Sequence, residues 1–285
     1  ERRGLQWRVA GLTPSRGIVE PESVAAQVDD GTVVLTVIHS SNITGTQNAV
    51  ADIIRAAREK KPDLYVLVDG AQHGPHGLVD VEALGCDGYL VSSYKMFSKI
   101  GSSAFYVSER VVELPHDKLR GKPATCWEQG TREQAGYAAW SEVLGYLCWL
   151  GGHFTEAKER RALVVAAMGA VAQHERALTR MMLHGTGAAP GLLSMPHVTV
   201  HGEVDDLSVK ESCLGFSVDG MTSGEAVERL AVAGIRVHNR VSDAYSRHTL
   251  EALGLSECVR ASLAHYNSPA DVEAFLTATA RMERH

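Results

Sequence analysis

Residues Leu64–Lys95 read LYVLVDGAQHGPHGLVDVEALGCDGYLVSSYK, and this stretch decides the fold. Leu64–Val68 is a short, continuous apolar run, the pattern of a strand buried on both faces, and it ends at Asp69-Gly70. Gly88–Val91 is a second such run and ends at Ser92–Lys95. Upstream, Thr32–Ile38 (TVVLTVI) repeats the pattern, again with both faces expected to be buried, and runs into the polar turn His39–Thr46. From Asn48 to Lys60 the apolar residues Val50, Ile53, Ile54 and Ala57 fall at helical spacing. Downstream, Ala104–Val107 supplies a fourth strand. Strand–helix–strand units of this length predict an α/β fold with a mostly parallel sheet covered by helices.

Beyond this core the pattern changes. A helical region starts near Arg132, breaks at Gly151-Gly152 and resumes to about Leu183, and the glycine-rich run Gly185–Gly191 is a loop. Strands are expected at His197–His201, Cys213–Val218, Ile235–His238 and Val259–Leu263, with a helix over Ser223–Ala233. Ser268-Pro-Ala-Asp opens a last helix, where Ser268 caps and Pro269 occupies the first turn. We therefore place a first domain at 1–152 and a small α/β domain at 153–285.

Composition narrows the class of function. The chain has 285 residues, 45% hydrophobic and 22% charged, which excludes intrinsic disorder. Its formal net charge of −6 offers no electrostatic footprint for a phosphate backbone, so nucleic acid is not an expected partner. No apolar run approaches the ~18–20 residues of a membrane span. The first residues lack the apolar stretch of a secretory signal. Five well-separated cysteines, with no Cys-x-x-Cys pair, argue for a reducing compartment, so a cytoplasmic protein is expected.

Ligands of open parallel sheets bind beyond the carboxyl ends of the strands. Three polar clusters fall at such ends: Ser41-Asn42, Asp69, and Ser92–Lys95. An acid, an amine and hydroxyls together suit pyridoxal phosphate. That cofactor needs a lysine for its Schiff base, a carboxylate for its pyridinium nitrogen and donors for its phosphate.

With those residues in hand, a resemblance appears. HSSNITGT (His39–Thr46), VDGAQHGPHGLVDVEALGCDGYLVSSYK (Val68–Lys95), WEQGT (Trp127–Thr131) and VRASLAHYNSPADVEAF (Val259–Phe275) resemble, in order, four blocks of the class V aminotransferase group. These are fold-type I pyridoxal phosphate enzymes, and the cysteine desulfurase-like branch is the most similar. The resemblance implies that Lys95 forms the Schiff base and later moves the proton at the substrate α-carbon. It implies that Asp69 pairs with the pyridinium nitrogen and that Gln72 hydrogen-bonds the ring's phenolic oxygen. Asn42 would lie near that oxygen and the substrate carboxylate. Ser92 and Tyr94 would hold the phosphate, although the position of Tyr94 is often His in the desulfurases. Gly130 and Thr131 would reach the phosphate of a neighbouring subunit, which implies a homodimer with shared active sites. Arg260 would clamp the substrate α-carboxylate with a bidentate guanidinium.

Two departures shape the functional expectation. Persulfide-forming desulfurases carry a nucleophilic Cys shortly before the carboxylate-binding Arg, whereas Val237–His248 (VHNRVSDAYSRH) has none and Cys258 falls inside an expected strand. A lyase that eliminates sulfur from Cβ needs no such Cys. The resemblance also implies an amino-terminal part of the large domain, with a phosphate loop and a stacking ring, that is not visible before Val33. The expectation is thus a pyridoxal phosphate-dependent enzyme acting on a small amino acid, by C–S cleavage of cysteine or a cysteine conjugate. An aminotransferase, an epimerase or a non-catalytic or split-enzyme subunit are the alternatives. His39, His73 and His76 read as turn histidines, and no metal is expected.

Overall fold

The structure is a computed structural model that describes residues 4–14, 16–130 and 133–282. In chain order its strands are β1 (Leu12–Thr13), β2 (Ile18–Val19), β3 (Val34–Ile38), β4 (Tyr65–Asp69), β5 (Gly88–Ser92), β6 (Ser103–Val107), β7 (Val198–His201), β8 (Cys213–Val218), β9 (His238–Val241) and β10 (Glu257–Ser262). The helices are α1 (Pro21–Ala25), α2 (Val50–Lys60), α3 (Val81–Leu84), α4 (Glu109–Val112), α5 (Gln134–Gly151), α6 (Arg160–His184), α7 (Ser223–Val232), α8 (Arg247–Ala252) and α9 (Pro269–Ala280). They fall into two compact units. One draws its described residues from Val28–His39 and Ala49–Ala170, the other from Glu1–Gln27, Ser40–Asn48 and Val171–His285. The compact units change over within α6, and the second also takes in the turn after β3.

The first unit holds a four-stranded sheet in the order β3-β4-β5-β6. β3, β4 and β5 are parallel, and β6 returns antiparallel to β5. Their apolar runs form strands because alternate side chains enter the core: Val66 and Val68 of β4 and Tyr89 of β5 are buried. α2 buries Val50, Ile53, Ile54 and Ala57, the face that helical spacing selects. Asp87, at the amino end of β5, is 2% exposed and pins the strand. It pairs with Arg58 and Arg110, each at 2.8 Å, and accepts from the Val66 amide at 2.8 Å. Those partners offset the desolvation cost of burying a carboxylate. One expectation is corrected here. β3 is not buried on both faces: Val34 and Ile38 are exposed, because no described residue covers the face they line.

The second unit is built on an antiparallel sheet in the order β7-β8-β10-β9. Its core joins Leu214, Phe216 and Val218 of β8 and Val259 of β10 to Leu178 and Met182 of α6, Leu230 of α7 and Leu276 of α9. Both helix starts read from the sequence carry reciprocal caps: Thr222 with Glu225 on α7, and Ser268 with Asp271 on α9, where Pro269 follows the cap. Such caps contribute about 1 kcal/mol each. The strand expected at Ile235–His238 lies instead at His238–Val241, where Asn239 and Arg240 pair with Val259 and Cys258 of β10. The ladder, rather than the apolar Ile235–Val237, sets the strand. The charged stretch Glu156–Arg161 is mostly the connection that precedes α6.

Candidate functional site

In the first unit the carboxyl ends of β3, β4 and β5 lie side by side, with Ile38 opposite Asp69 and Asp69 opposite Leu90. Asp69 is the last residue of β4, and its carboxylate accepts from the Ala71 amide at 2.9 Å, which starts the turn that carries Gln72. Ser92 ends β5, and Ser93–Met96 forms a 3-10 turn that carries Tyr94 and Lys95. The anchor of this turn is Ser93, fully buried, with its hydroxyl 2.6 Å from the Lys99 carbonyl and 2.5 Å from that of Ser102. The sequence singled out its neighbour Ser92, which is half-buried. Phe97 closes the turn at φ 63°, and no other non-glycine described residue has a positive φ. That conformation costs about 1–2 kcal/mol, which the surrounding bonds must hold. Lys95 Nζ donates to Gln72 Oε1 at 3.3 Å.

Behind these strand ends lies a group that the sequence passed over as turn histidines. The His39 and His73 rings stack with centroids 3.7 Å apart, and His39 Nδ1 meets the Tyr89 hydroxyl at 2.8 Å. Burial, aided by His73, pushes His39 down to about 3, so the ring is neutral. Glycine makes the room: a Cβ on Gly70 would lie 2.0 Å from the Tyr89 ring, and one on Gly77 would lie 2.3 Å from the His73 ring. The legible signal was the spacing of Gly70, Gly74 and Gly77 around the histidines.

The second unit holds the other two candidates. Asn42 sits on a turn whose start is capped by Ser41 Oγ, which accepts from the Ile43 and Thr44 amides at 3.2 and 3.1 Å. The turn is bound to the segment that enters β8. Glu211 N donates to Gly45 O and Gln47 N to Val209 O, both at 2.9 Å. Ser40 Oγ donates to Glu211 Oε2 at 2.7 Å, and Lys210 Nζ donates to the Thr44 carbonyl. Burial brings Lys210 down to about 8, against the opposing pull of Cys213, Glu203 and Glu211. Arg260, on β10, donates from Nη1 to the Asn42 carbonyl at 3.2 Å. Nearby thiols are deep: Cys213 and Cys258 are at most 1% exposed, and burial raises Cys258 to about 11.

The structure thus gathers Asp69, Gln72, Ser92, Tyr94 and Lys95 in one unit, and Asn42 and Arg260 in the other. Tyr94 is 53% exposed. Gly130 has φ 81° with open space where a Cβ would be, and Thr131 lies outside the described residues. Among the described residues no group of three His, Cys, Asp or Glu is placed to hold a metal ion. His201 Nε2 on β7 meets Ser217 Oγ on β8 at 2.8 Å.

Residues 1–275, which contain all of these positions, match the family described as aminotransferase class-V. The chain belongs to the aminotransferase class-V family. It is similar to the cysteine desulfurases of Salmonella agona strain SL483 and Salmonella typhimurium strain LT2. Identity to each is 29% over 300 aligned positions, covering 100% of this chain and 66% of the relative. The chain therefore spans just under two thirds of the length of these relatives. Among solved structures, an apo cysteine desulfurase from Thermococcus onnurineus NA1 superposes with a TM-score of 0.76 at 19% identity, covering 95% of this chain and 64% of that one. The Escherichia coli cysteine desulfurase CsdA, in its S-sulfonic acid form, gives 0.75 at 23%, with the same coverages. These likenesses establish the α/β fold of this class V member.

Proposed function

We propose that this class V chain forms the catalytic part of a pyridoxal phosphate-dependent, cysteine desulfurase-like enzyme that cleaves the C–S bond of cysteine or a cysteine conjugate. The observation that carries the reading is the Lys95 amine 3.3 Å from the Gln72 amide oxygen, beyond strand ends that also bear Asp69 and Ser92. An amine, an acid, an amide and a hydroxyl are the donor set that this cofactor requires. The cofactor, when bound, supplies an electron sink for charge that develops at the substrate α-carbon.

In this reading Lys95 bonds the cofactor and then carries the proton to and from the α-carbon. Asp69 pairs with the pyridinium nitrogen, and Gln72 donates to the phenolic oxygen. Ser92 and Tyr94 hold the phosphate, with Gly130 and Thr131 supplied across a homodimer. Arg260 binds the substrate carboxylate beside Asn42. Residues through 152 then form the cofactor-binding domain, with a smaller domain after them. The reading places the enzyme in the cytoplasm, as its separated cysteines suggest. No described helix is long and apolar enough to cross a membrane.

The burial of Cys258 and Cys213 favours loss of sulfur directly from the substrate, without capture by a thiol on the strands around Arg260. Incubating the chain with pyridoxal phosphate and L-cysteine, and assaying sulfide, pyruvate and alanine, tests this. Release of sulfide that is lost in Lys95→Ala is expected. Conversion of the cofactor to its amine form without sulfide would replace C–S cleavage by transamination.

A further inference from the structure

We propose that His76 is a positioning residue that fixes the orientation of the Gln72 amide, and through it the polarity presented to the cofactor and to Lys95. The inference rests on the reading of Lys95 and Gln72 given above. It starts from the chain of contacts Lys95 Nζ–Gln72 Oε1 at 3.3 Å and Gln72 Nε2–His76 Nε2 at 3.3 Å.

The donor and acceptor chemistry admits one arrangement. A lysine ammonium only donates, so the amide atom that faces it is the oxygen. The amide nitrogen then faces His76 and can only donate, so His76 Nε2 is the acceptor and the ring proton is on Nδ1. One N–H of Gln72 is spent on His76. The other is the donor available to a phenolic oxygen. Without cofactor, reversing the amide would set its NH₂ against the Lys95 ammonium; with cofactor bound, it would set the amide oxygen against the phenolic oxygen, and either contact is repulsive. An acceptor at His76 disfavours that reversal.

The local fold holds His76 where this requires. Gln72 and His76 are four residues apart in a turn closed by Gly74 N to Gly70 O at 2.8 Å and by His76 N and Gly77 N to His73 O, both at 2.9 Å. Pro75, between them, fixes its own φ. The turn packs tightly against the strand and turn that lead to Lys95: a Cβ on Gly74 would lie 3.0 Å from Val91 Cγ1 and 3.2 Å from Met96 Sδ. The other ionisable groups that face this turn are Asp69 at its start, His73 within it, His39 and Tyr89 behind it, and Tyr94 and Lys95 on the facing turn.

The test is a spectrophotometric pH titration of the visible band of the protein loaded with pyridoxal phosphate, the band defined as the one lost in Lys95→Ala. A donated hydrogen bond favours the ionised phenolic oxygen, so losing it raises the midpoint. For His76→Phe we expect a rise of about half to one pH unit. His76→Gln, whose side-chain carbonyl can accept, returns the midpoint toward wild type. Gln72→Leu gives the same rise, and adding His76→Phe to it gives no further shift, because the effect passes through Gln72. A His76→Phe midpoint equal to wild type, or shifts that add in the double variant, would overturn the proposal while leaving the cofactor reading intact. A wild-type protein with no Lys95-dependent band would remove both. Should His76→Phe fail to fold, ¹⁵N-histidine spectra of the wild type, with His76 assigned by its loss in His76→Gln, decide the point. Nε2 is expected as the unprotonated nitrogen, and a protonated Nε2 overturns the assignment.

Discussion

Arg260 Nη1 donates to the backbone carbonyl of Asn42 at 3.2 Å, joining residues 218 positions apart in the sequence within one compact unit. The two residues assigned to the substrate carboxylate are therefore mutually positioned, and the bond occupies one arm of the guanidinium. If Arg260 binds the carboxylate, Arg260→Ala should weaken amino-acid binding roughly 10- to 100-fold, the range of a charge-assisted pair. Cofactor affinity should be unchanged, and Arg260→Lys should not restore the lost affinity, since an ammonium cannot form the two-pronged contact. Titrating an amino acid against each cofactor-loaded variant checks this. Equal affinities in wild type and Arg260→Ala would end the assignment.

Lys210 supports the same turn from beneath, with its folded-state value brought down to about 8 from 10.5. Between these values the unfolded chain holds a proton that the folded one has released, so stability rises with pH across that window. The rise is at most ~1.36 kcal/mol per pH unit. Lys210→Met should lack this component, so its urea midpoint should gain less than that of wild type between pH 8 and pH 10. Parallel profiles would mean that Lys210 titrates normally.

On the acid side, His39 behaves in the same sense at lower pH. Its ring stays neutral down to about 3, whereas an unfolded histidine takes up a proton near 6.5. Stability is therefore lost as pH falls from about 6.5 toward 3. His39→Gln should show a shallower decline between pH 7 and pH 4.5 in urea melts. An identical decline would mean that the buried ring contributes nothing to acid sensitivity.

Gly45 gives a stability prediction that needs no titration. It has φ +70°, and a Cβ there would lie 2.2 Å from the Cys213 carbonyl oxygen. Gly45→Ala should destabilise by roughly 2 kcal/mol or more, from left-handed strain and overpacking together. A midpoint within error of wild type would show that the turn yields easily.

How far the sequence could be read follows from the kind of interaction involved. The parallel strands were legible because short uninterrupted apolar runs such as LYVLV, bounded by turn residues, have the length of a strand rather than of a helix. The cap at Ser268 was legible because Pro269 and Asp271 mark it locally. β9 was misplaced because its position is decided by pairing with Val259 and Cys258, which no local pattern encodes. The exposed face of β3 escaped for a related reason, since burial belongs to what covers a strand and not to the strand. Lys95, Asp69 and Gln72 could be named from motif and strand end. His39, Tyr89 and Lys210 could not, because their importance lies in partners tens of residues away, such as Lys210 at the Thr44 carbonyl. Ser93 binds carbonyls only six and nine residues on, but no local pattern separates it from its neighbour Ser92.

The central claim is that Lys95 carries pyridoxal phosphate beyond the ends of β4 and β5. The most direct measurement is the visible absorbance of the purified chain incubated with that cofactor, beside Lys95→Ala. A band present in the wild type, absent in the variant and shifted by added cysteine is the expected result. No band in either protein, or the same band in both, would contradict the claim.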